Sequence, residues 1–475
     1  RRPRCTCAAI ARAIAAQVQR GRLRAGDRLP STRELAAQLE VHRNTVVAAY
    51  RELLAEGWVT AGVGRGTFIA ERLAEAPARA RQRAHAAGRV GFAIPPARVR
   101  PGSLGSREPV LDRRVIGLHT GLPDPSSFPR EAVARAYRRA LRDRNLLGYR
   151  DPQGHPRLRA AFAQMLASTR ALACTADDLL VTRGSQMAID LIARALVRPG
   201  SVVAVEALGY RPAWDAFASA GAELLPIAVD ADGLRTDLLA AALAKQKLTA
   251  VYVTPHHQFP SLATLAPQRR LALLELAKRH RFAIVEDDYD HEFHYRGRPV
   301  APLASLDHDG VVVYVATLSK VLAPGLRMGC AVAPRPLLDV IVALREVSDR
   351  QGDAALEAAL AELLEDGLVQ RHVRRMRRVH EERREVLASA LQRELAGAVS
   401  FTLPGGGMAL WLDVDPRIDV DAWAARARAR NVLFAPGSAF DFDARKLSHA
   451  RVGFCAHAPP RLVEGVRRMA AALRR

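Results

Sequence analysis

The sequence predicts an α/β chain in two parts: an N-terminal helix-turn-helix with a two-stranded wing, then a mostly parallel sheet with helices on both faces and a small C-terminal α/β subdomain. Three observations predict it. Residues 8–57 hold three helix-patterned runs punctuated by Gly21, by Ser31 with Glu34 three positions on, and by Gly57. From about residue 114, apolar strand-like runs alternate with long helical ones, the pattern of a sheet covered by helices. After residue 398, two further strand-like runs, ALWLDV and RVGF, mix with helices.

Composition bounds the possibilities. A chain of 475 residues is too long for one ordinary domain, and its 49% hydrophobic content supports a sizeable core. Five scattered cysteines give no disulfide framework, and Cys5-x-Cys7 lacks a second ligand pair at zinc spacing. No run of about 18 apolar residues is present, so no membrane span is expected and a reducing cytoplasm fits best. Residues 1–100 carry 19 arginines, no lysine and seven acids, so this fifth of the chain holds +12 of the total +22. Such asymmetry is an electrostatic footprint for a polyanion.

The first elements follow from capping and periodicity. AAIARAIAAQVQRG reads as a helix closed by Gly21. Ser31 and Glu34 form a capping box for a short helix that buries Leu35 and Leu39. After a tight turn, Val46, Tyr50, Leu53 and Leu54 recur at i, i+4, i+7 and i+8, an amphipathic helix. Two short helices across a tight turn define a helix-turn-helix, and the β-rich runs around Gly64-Arg65-Gly66 read as its wing. The second helix of such a motif enters the DNA major groove by its N-terminal end, here His42, Arg43, Asn44 and Thr45. Arg43 suits bidentate reading of guanine; Arg33, Arg65 and Thr67 suit the phosphate backbone or minor groove. The domain bounds read from this pattern are 1–71 for the DNA-binding part, 72–113 for an Arg/Ala/Pro linker and 114–475 for the α/β part.

In the α/β part, DLLVTRG, SVVAVEA, AELLPIAV, AVYVTP, FAIVEDD and VVVYVAT are the expected strands, SQMAIDLIARALV and PQRRLALLELAKRH two of the helices, and 355–398 is strongly helical. Lys320, in VVVYVATLSKVLAPGLRMG, is one of only five lysines among 71 basic residues. Only an amine can form a Schiff base; a guanidinium cannot. Asp287 and Tyr289 lie at the end of the strand run FAIVEDDYD, so an amine, an acid and a phenol stand at strand ends, the set that suits a pyridoxal phosphate site. Asp287 is placed to accept the proton of a pyridine nitrogen, and Tyr289 to meet the ring hydroxyl. Gly184, Ser185 and Gln186 lie where a strand turns into a helix, and free amides there cradle an anion. Thr317, Ser319 and Arg327 are near Lys320 in sequence and complete a phosphate cage. Tyr210 either stacks on the ring or is a surface tyrosine. His257 and Gln258 either bond the ring oxygen or back it from behind. Arg451 suits a bidentate grip on a carboxylate. The pair His256-His257 on a loop lacks carboxylate support in the local sequence, so no metal is expected.

The spacing of GSQ, TPHHQFP, EDDYDHEF and TLSKVLAPGLRMG closely resembles the aminotransferase-like domain of MocR-family regulators, and LPSTRELAAQLEVHRNTVVAAYRELLAEGWVTAGVGRGTFIA resembles a GntR-type winged helix. The resemblance implies a pyridoxal-phosphate-dependent transferase fold of type I. It implies Lys320 as the cofactor lysine, Asp287 and Tyr289 as the ring partners, Arg327 with Ser185 on the phosphate, Tyr210 on the ring face and Arg451 on an effector carboxylate. Tyr149 matches the tyrosine such proteins lend to the neighbouring subunit's phosphate, which implies a head-to-tail homodimer. Two departures stand out: Leu262 replaces the glycine of the Pro-Thr/Ser-Gly turn, which is expected to reshape the loop, and His42 replaces a capping serine, which is expected to weaken the cap.

The resulting expectation is a transcription factor that binds a double-stranded operator and senses pyridoxal phosphate or a small amino compound. Its rivals are an active aminotransferase with an accessory DNA-binding domain, and a cofactor-free DNA-binding scaffold.

Overall fold

The computed structural model describes residues 6–62, 65–71, 114–119, 121–297 and 300–474. Two compact units divide the chain, Arg1–Pro96 and Ala97–Arg475. The expected linker 72–113, and Cys5, lie outside the described residues.

In the first unit α1 is Cys7–Gln19, α2 Thr32–Gln38 and α3 Arg43–Ala55. Both halves of the capping box form: Ser31 Oγ accepts from the Glu34 amide at 3.2 Å, and Glu34 Oε2 accepts from the Ser31 amide at 2.8 Å. His42 caps α3 despite not being serine. Its Nδ1 accepts from the Asn44 amide at 3.2 Å, so an imidazole nitrogen replaces the hydroxyl oxygen and the expected weak cap does not follow. Val46, Ala49, Tyr50 and Leu53 are buried, each aliphatic side chain contributing about 1.5–3 kcal/mol when fully removed from water. Leu54 and Leu39, expected inside, are 47% and 40% exposed. Helix α2 is only seven residues long, and Ala36 takes its buried position, while Leu35 is half-buried. The wing strands Val59–Gly62 and Gly66–Ile69 pair antiparallel.

The second unit is built on a seven-stranded sheet. Across it, the strands run Leu179–Thr182, Gly329–Val332, Val312–Thr317, Ala283–Asp288, Ala250–Val253, Val202–Glu206 and Glu223–Ile227. Six are mutually parallel. Gly329–Val332 runs against both its neighbours and was not anticipated, because a four-residue run after a Pro-Gly loop carries no periodicity of its own. Its first residue must be glycine: a Cβ there would stand 2.7 Å from the Ala316 carbonyl oxygen and 3.0 Å from Gly184 Cα. The inner strands Ala250–Val253 and Val312–Thr317 are buried along their whole length, as a parallel sheet with both faces covered requires. Ile189, Trp214, Phe217 and Leu338 form part of one covering layer, and Leu239, Leu273, Phe282 and Leu303 part of another.

The C-terminal subdomain has an antiparallel sheet in the order Val399–Ser400, Ala409–Val414, His449–Gly453, Ala435–Pro436. The 27-residue helix Leu368–Glu394 and the helix Pro459–Leu473 cover it around Trp423, Met408 and Phe454. Ile116–Gly117 pairs in parallel with Val432–Leu433, so the start of this unit is tied to its end.

Candidate functional site

The parallel strands end at one edge of the sheet, and a cavity of about 210 Å³ opens there. Gly121, Ser185, Gln186, Tyr210, Asp287, Tyr289, Thr317, Ser319, Lys320, Arg327 and Arg451 line it, together with Leu122, Thr254, Phe259 and Pro324. Ten of the residues singled out from sequence therefore converge, from segments between positions 185 and 451.

Each arrives for a local reason. Asp287 and Thr317 sit at the ends of adjacent parallel strands, where Asp287 pairs in register with Val315 and Asp288 with Ala316. Ser185 starts the helix Ser185–Leu196 behind Gly184, whose φ of +76° few side chains tolerate. A Cβ at Gly184 would also lie 3.1 Å from two Arg327 nitrogens, so the glycine lets that guanidinium approach the helix start. Arg327 itself has φ +50° and donates from Nη2 to the Arg183 carbonyl at 2.7 Å. A non-glycine residue in this region stores of order 1–3 kcal/mol, held here by the anchored guanidinium. Thr317 Oγ1 and Ser319 Oγ are 2.9 Å apart, and the Ser319 amide donates back to Thr317 Oγ1 at 3.1 Å.

The electrostatics separate the groups. Lys320 Nζ donates to the Gly121 carbonyl at 3.1 Å, and burial with the nearby Arg451 charge lowers its pKa to about 8. The neutral, nucleophilic amine is thus a minority of about a tenth at pH 7, far more than an exposed lysine offers. Asp287 Oδ2 accepts from Tyr252 OH at 2.7 Å, whereas Oδ1 is buried without a partner. Burial pushes this carboxyl up to about 7. The Tyr289 hydroxyl is also buried and unpartnered, and so is Arg451 Nε. An unmet buried polar group costs about 1–3 kcal/mol, so three in one cavity mark places for ligand atoms. The lining fits pyridoxal phosphate: an acid for a ring nitrogen, a phenol for a ring hydroxyl, an amine for an aldehyde, and a guanidinium, hydroxyls and a helix start for a phosphate.

Besides Gly184, three expected residues are not among the lining, in keeping with a place behind the ring for His257 and Gln258 and at a neighbouring subunit for Tyr149. His257 and Gln258 do not line the cavity. His257 Nδ1 is 2.7 Å from Asp290 Oδ1. Gln258 donates to the Leu208 and Phe259 carbonyls, both at 2.6 Å, and accepts from Ser261 Oγ at 2.6 Å, so it braces its own loop. Tyr149 is 79% exposed with the Arg350 guanidinium 4.6 Å over its ring. Leu262 holds φ +66°, the left-handed conformation that a glycine adopts freely, with its side chain buried.

Phe259 was missed. It forms an edge-to-face wall with Tyr210 at 5.5 Å and Tyr289 at 6.0 Å, and Arg451 lies 4.7 Å over its ring. The only signal was its place in the QFP run, where an aromatic residue reads as ordinary core.

In the first unit Arg33, His42, Arg43, Asn44 and Arg65 are exposed, and Thr45 and Thr67 half-exposed. Arg43 Nε reaches Thr32 Oγ1 at 3.4 Å, bringing the starts of α2 and α3 together. Thr67 pairs with Ala61 in the wing, and its carbonyl accepts from the Leu29 amide at 2.9 Å.

Comparison with known proteins agrees with both units. Residues 6–69 match the gntR family of bacterial regulatory proteins, and residues 113–469 match aminotransferase class I and II. In structure the chain is similar to an alpha-aminoadipate aminotransferase from Thermus thermophilus, solved with N-(5'-phosphopyridoxyl)-L-leucine, at TM-score 0.71 and 30% identity over 76% of this chain and 92% of that one. These matches define a class: a DNA-binding GntR-type domain joined to a fold-type-I aminotransferase domain, of a kind that depends on pyridoxal phosphate. In sequence the chain is 34% identical over 455 residues, 95% of its length and 90% of the relative's, to the probable rhizopine catabolism regulatory protein MocR of Rhizobium meliloti. It is 33% identical to the regulator TauR of Rhodobacter capsulatus over 96% of this chain and 93% of that one. The chain belongs to the MocR family of transcriptional regulators.

Proposed function

We propose that this regulator couples DNA binding to occupancy of the cavity at Lys320 by pyridoxal phosphate and by a small amino compound. The observation that carries the reading is that Asp287 Oδ1 and the Tyr289 hydroxyl, both buried and unpartnered, line the same cavity as Lys320. When bound, the cofactor supplies an aldehyde and an electron-poor ring that stabilises charge on an attached amino compound. Lys320 would hold the aldehyde carbon. Asp287 would pair with the ring nitrogen, its second oxygen already fixed by Tyr252, and Tyr289 would face the ring hydroxyl. Ser185, Thr317, Ser319 and Arg327 would hold the phosphate, with Gly184 and Gln186 shaping the helix start. Phe259 and Tyr210 would bound the ring and exclude water. Arg451 would grip a carboxylate of the amino compound, which selects amino acids over simple amines.

Arg43 would read a base in the major groove, with His42, Asn44 and Thr45 beside it, while Arg33, Arg65 and Thr67 would hold the backbone of the operator. The exposed Tyr149 leaves its phenol available to a second copy, in keeping with a head-to-tail homodimer. The proposed domain division is 1–71, 72–113 and 114–475, with the family matches over residues 6–69 and 113–469 as its support. No helix of the described residues is long and apolar enough to cross a membrane.

The test is a DNA-binding titration at fixed salt, with and without pyridoxal phosphate and candidate amino acids. The expected result is a ligand-dependent change in operator affinity, about 5–150-fold for typical coupling. Equal affinity with and without every ligand overturns the reading. The alternative, an active aminotransferase, draws on the presence of Lys320 and Arg451 in one cavity, where the amine can also move a proton at Cα. Steady turnover with DNA binding indifferent to ligand would favour it.

A further inference from the structure

Behind the cavity lies a second constellation that the cofactor does not use. His256 and His257 follow the strand Ala250–Val253, and His294 lies on the loop after Ala283–Asp288. One ring nitrogen from each of the three lies within 4.8 Å of the others. The His256 and His257 ring centroids are 4.3 Å apart, because the loop turns two consecutive side chains to the same side. His256 is 3% exposed, yet neither of its ring nitrogens has a partner, and His294 Nδ1 is likewise unmet. A neutral imidazole has one donor and one acceptor, so burying both without partners is a loss that a bound group would recover.

His257 is oriented differently. Its Nδ1 stands 2.7 Å from Asp290 Oδ1, the carboxylate backing that orients a ligating histidine through its other ring nitrogen. Carboxylate support, missing from the local sequence around the histidine pair, is thus delivered from the end of a neighbouring strand. Gly406 forms an isolated bridge with His294, and a Cβ on Gly406 would stand 2.3 Å from His257 Nε2. Only a glycine therefore lets this backbone pack against the His257 ring. His291 stacks on His256 at 4.5 Å but turns its Nδ1 to Asp288 Oδ2 at 3.1 Å, which leaves it outside the set.

We propose that His256, His257 and His294 bind one divalent transition-metal ion of borderline softness, Zn²⁺ foremost, with a fourth position open to solvent or a small ligand. Three imidazoles, one backed by a carboxylate, suit zinc, cobalt, nickel or copper, whereas magnesium and calcium need oxygen ligands. Metal–nitrogen bonds of about 2.0–2.1 Å require the ligand atoms to draw closer, which ring rotations of His256 and His294 supply. The ion would tie the 256–258 loop to the 294 loop and stand next to Asp290, the residue after Tyr289. This site does not depend on the cofactor reading.

The test uses the full-length protein, stripped with a chelator and titrated with Zn²⁺ and with Co²⁺. The readouts are metal per chain after gel filtration and the visible spectrum of the Co²⁺ form, which reports nitrogen ligation. The expected result is about one ion per chain, with affinity at least about 100-fold weaker in His294→Ala and in His256→Gln. His294 is only half-buried, so His294→Ala tests the site even where the buried His256→Gln fails to fold. The proposal is overturned if the parent retains no stoichiometric metal, or if the folded variant holds it as tightly as the parent does.

Discussion

Tyr252 donates a 2.7 Å hydrogen bond to Asp287 Oδ2, and that bond leaves Oδ1 as the unpartnered oxygen of a carboxylate that lines the cavity. Tyr252 is itself fully buried on the neighbouring strand Ala250–Val253, so the acid is held from the sheet rather than from a loop. The site is thereby prearranged before any ligand enters, and its unmet oxygen is what a cationic ring nitrogen would meet.

Replacing Asp287 by Asn should separate stability from function. The folded pKa of about 7 exceeds the ordinary 3.8, so between these values the folded state keeps a proton that the unfolded state releases. Stability of the cofactor-free protein therefore falls as pH rises through that window. The Asn variant loses this penalty and should be more stable at pH 8, by on the order of 4 kcal/mol in urea unfolding. It should also bind pyridoxal phosphate at least about 10-fold more weakly, measured by absorbance titration. Undiminished cofactor affinity would remove Asp287 from the site.

Lys320→Ala should abolish the visible absorbance band of cofactor-treated protein while leaving both units folded by circular dichroism. In the parent, the amine is neutral above a pKa of about 8, so the rate of cofactor capture should rise as pH passes that value. A band that persists in the variant would refute the assignment.

A buried charge network behind the sheet supports the site. Arg170 donates to Asp288 at 3.2 Å and to Glu292 at 2.6 Å, and Tyr314 also donates to Asp288. Arg170 and Asp288 are nearly inaccessible, with relative side-chain exposures of 1% and 2%. Removing one partner strands the other, so Asp288→Asn should cost about 3–5 kcal/mol of unfolding free energy at neutral pH. The Asp288 pKa is held well below the ordinary value, mainly by His291 and Arg170 against the opposing effect of burial. The stabilisation is therefore present above the unfolded value of about 3.9 and lost as pH falls towards the folded one. A variant with unchanged denaturation midpoint would show that the network contributes nothing net.

Arg43→Ala should weaken operator binding by about 1–3 kcal/mol and relax preference at one base pair. Arg65→Ala should weaken binding across all sequences and lower the salt-dependence slope by about one. Competition binding on an operator with single-base changes, at several salt concentrations, distinguishes the two. Equal losses of base preference in both variants would contradict the assigned roles.

Much of this was legible from sequence because it is local. A capping box is a three-residue pattern, a buried strand a short apolar run, and Lys320 stands out because lysine is rare here. The same locality explains the errors. Leu39 and Leu54 fit the helical period, but burial depends on what packs opposite, and Ala36 and Ala49 are buried while these two leucines are exposed. The expectation of a weak cap at His42 considered only the missing hydroxyl, whereas the ring nitrogen accepts the same bond.

The sequence by itself determined the order of parts, the two matching families of motif, and the identity of the amine, acid, phenol and guanidinium groups that the cavity gathers. Tertiary structure alone decided that Arg451 reaches Lys320 from another sheet, that Phe259 forms the wall between two tyrosines, that one oxygen of Asp287 stays free, and that Asp290 backs His257. Periodicity and capping are set by neighbours a few positions apart. Which distant side chains share a cavity is set by strand order and sheet packing, and no short stretch of sequence carries that information.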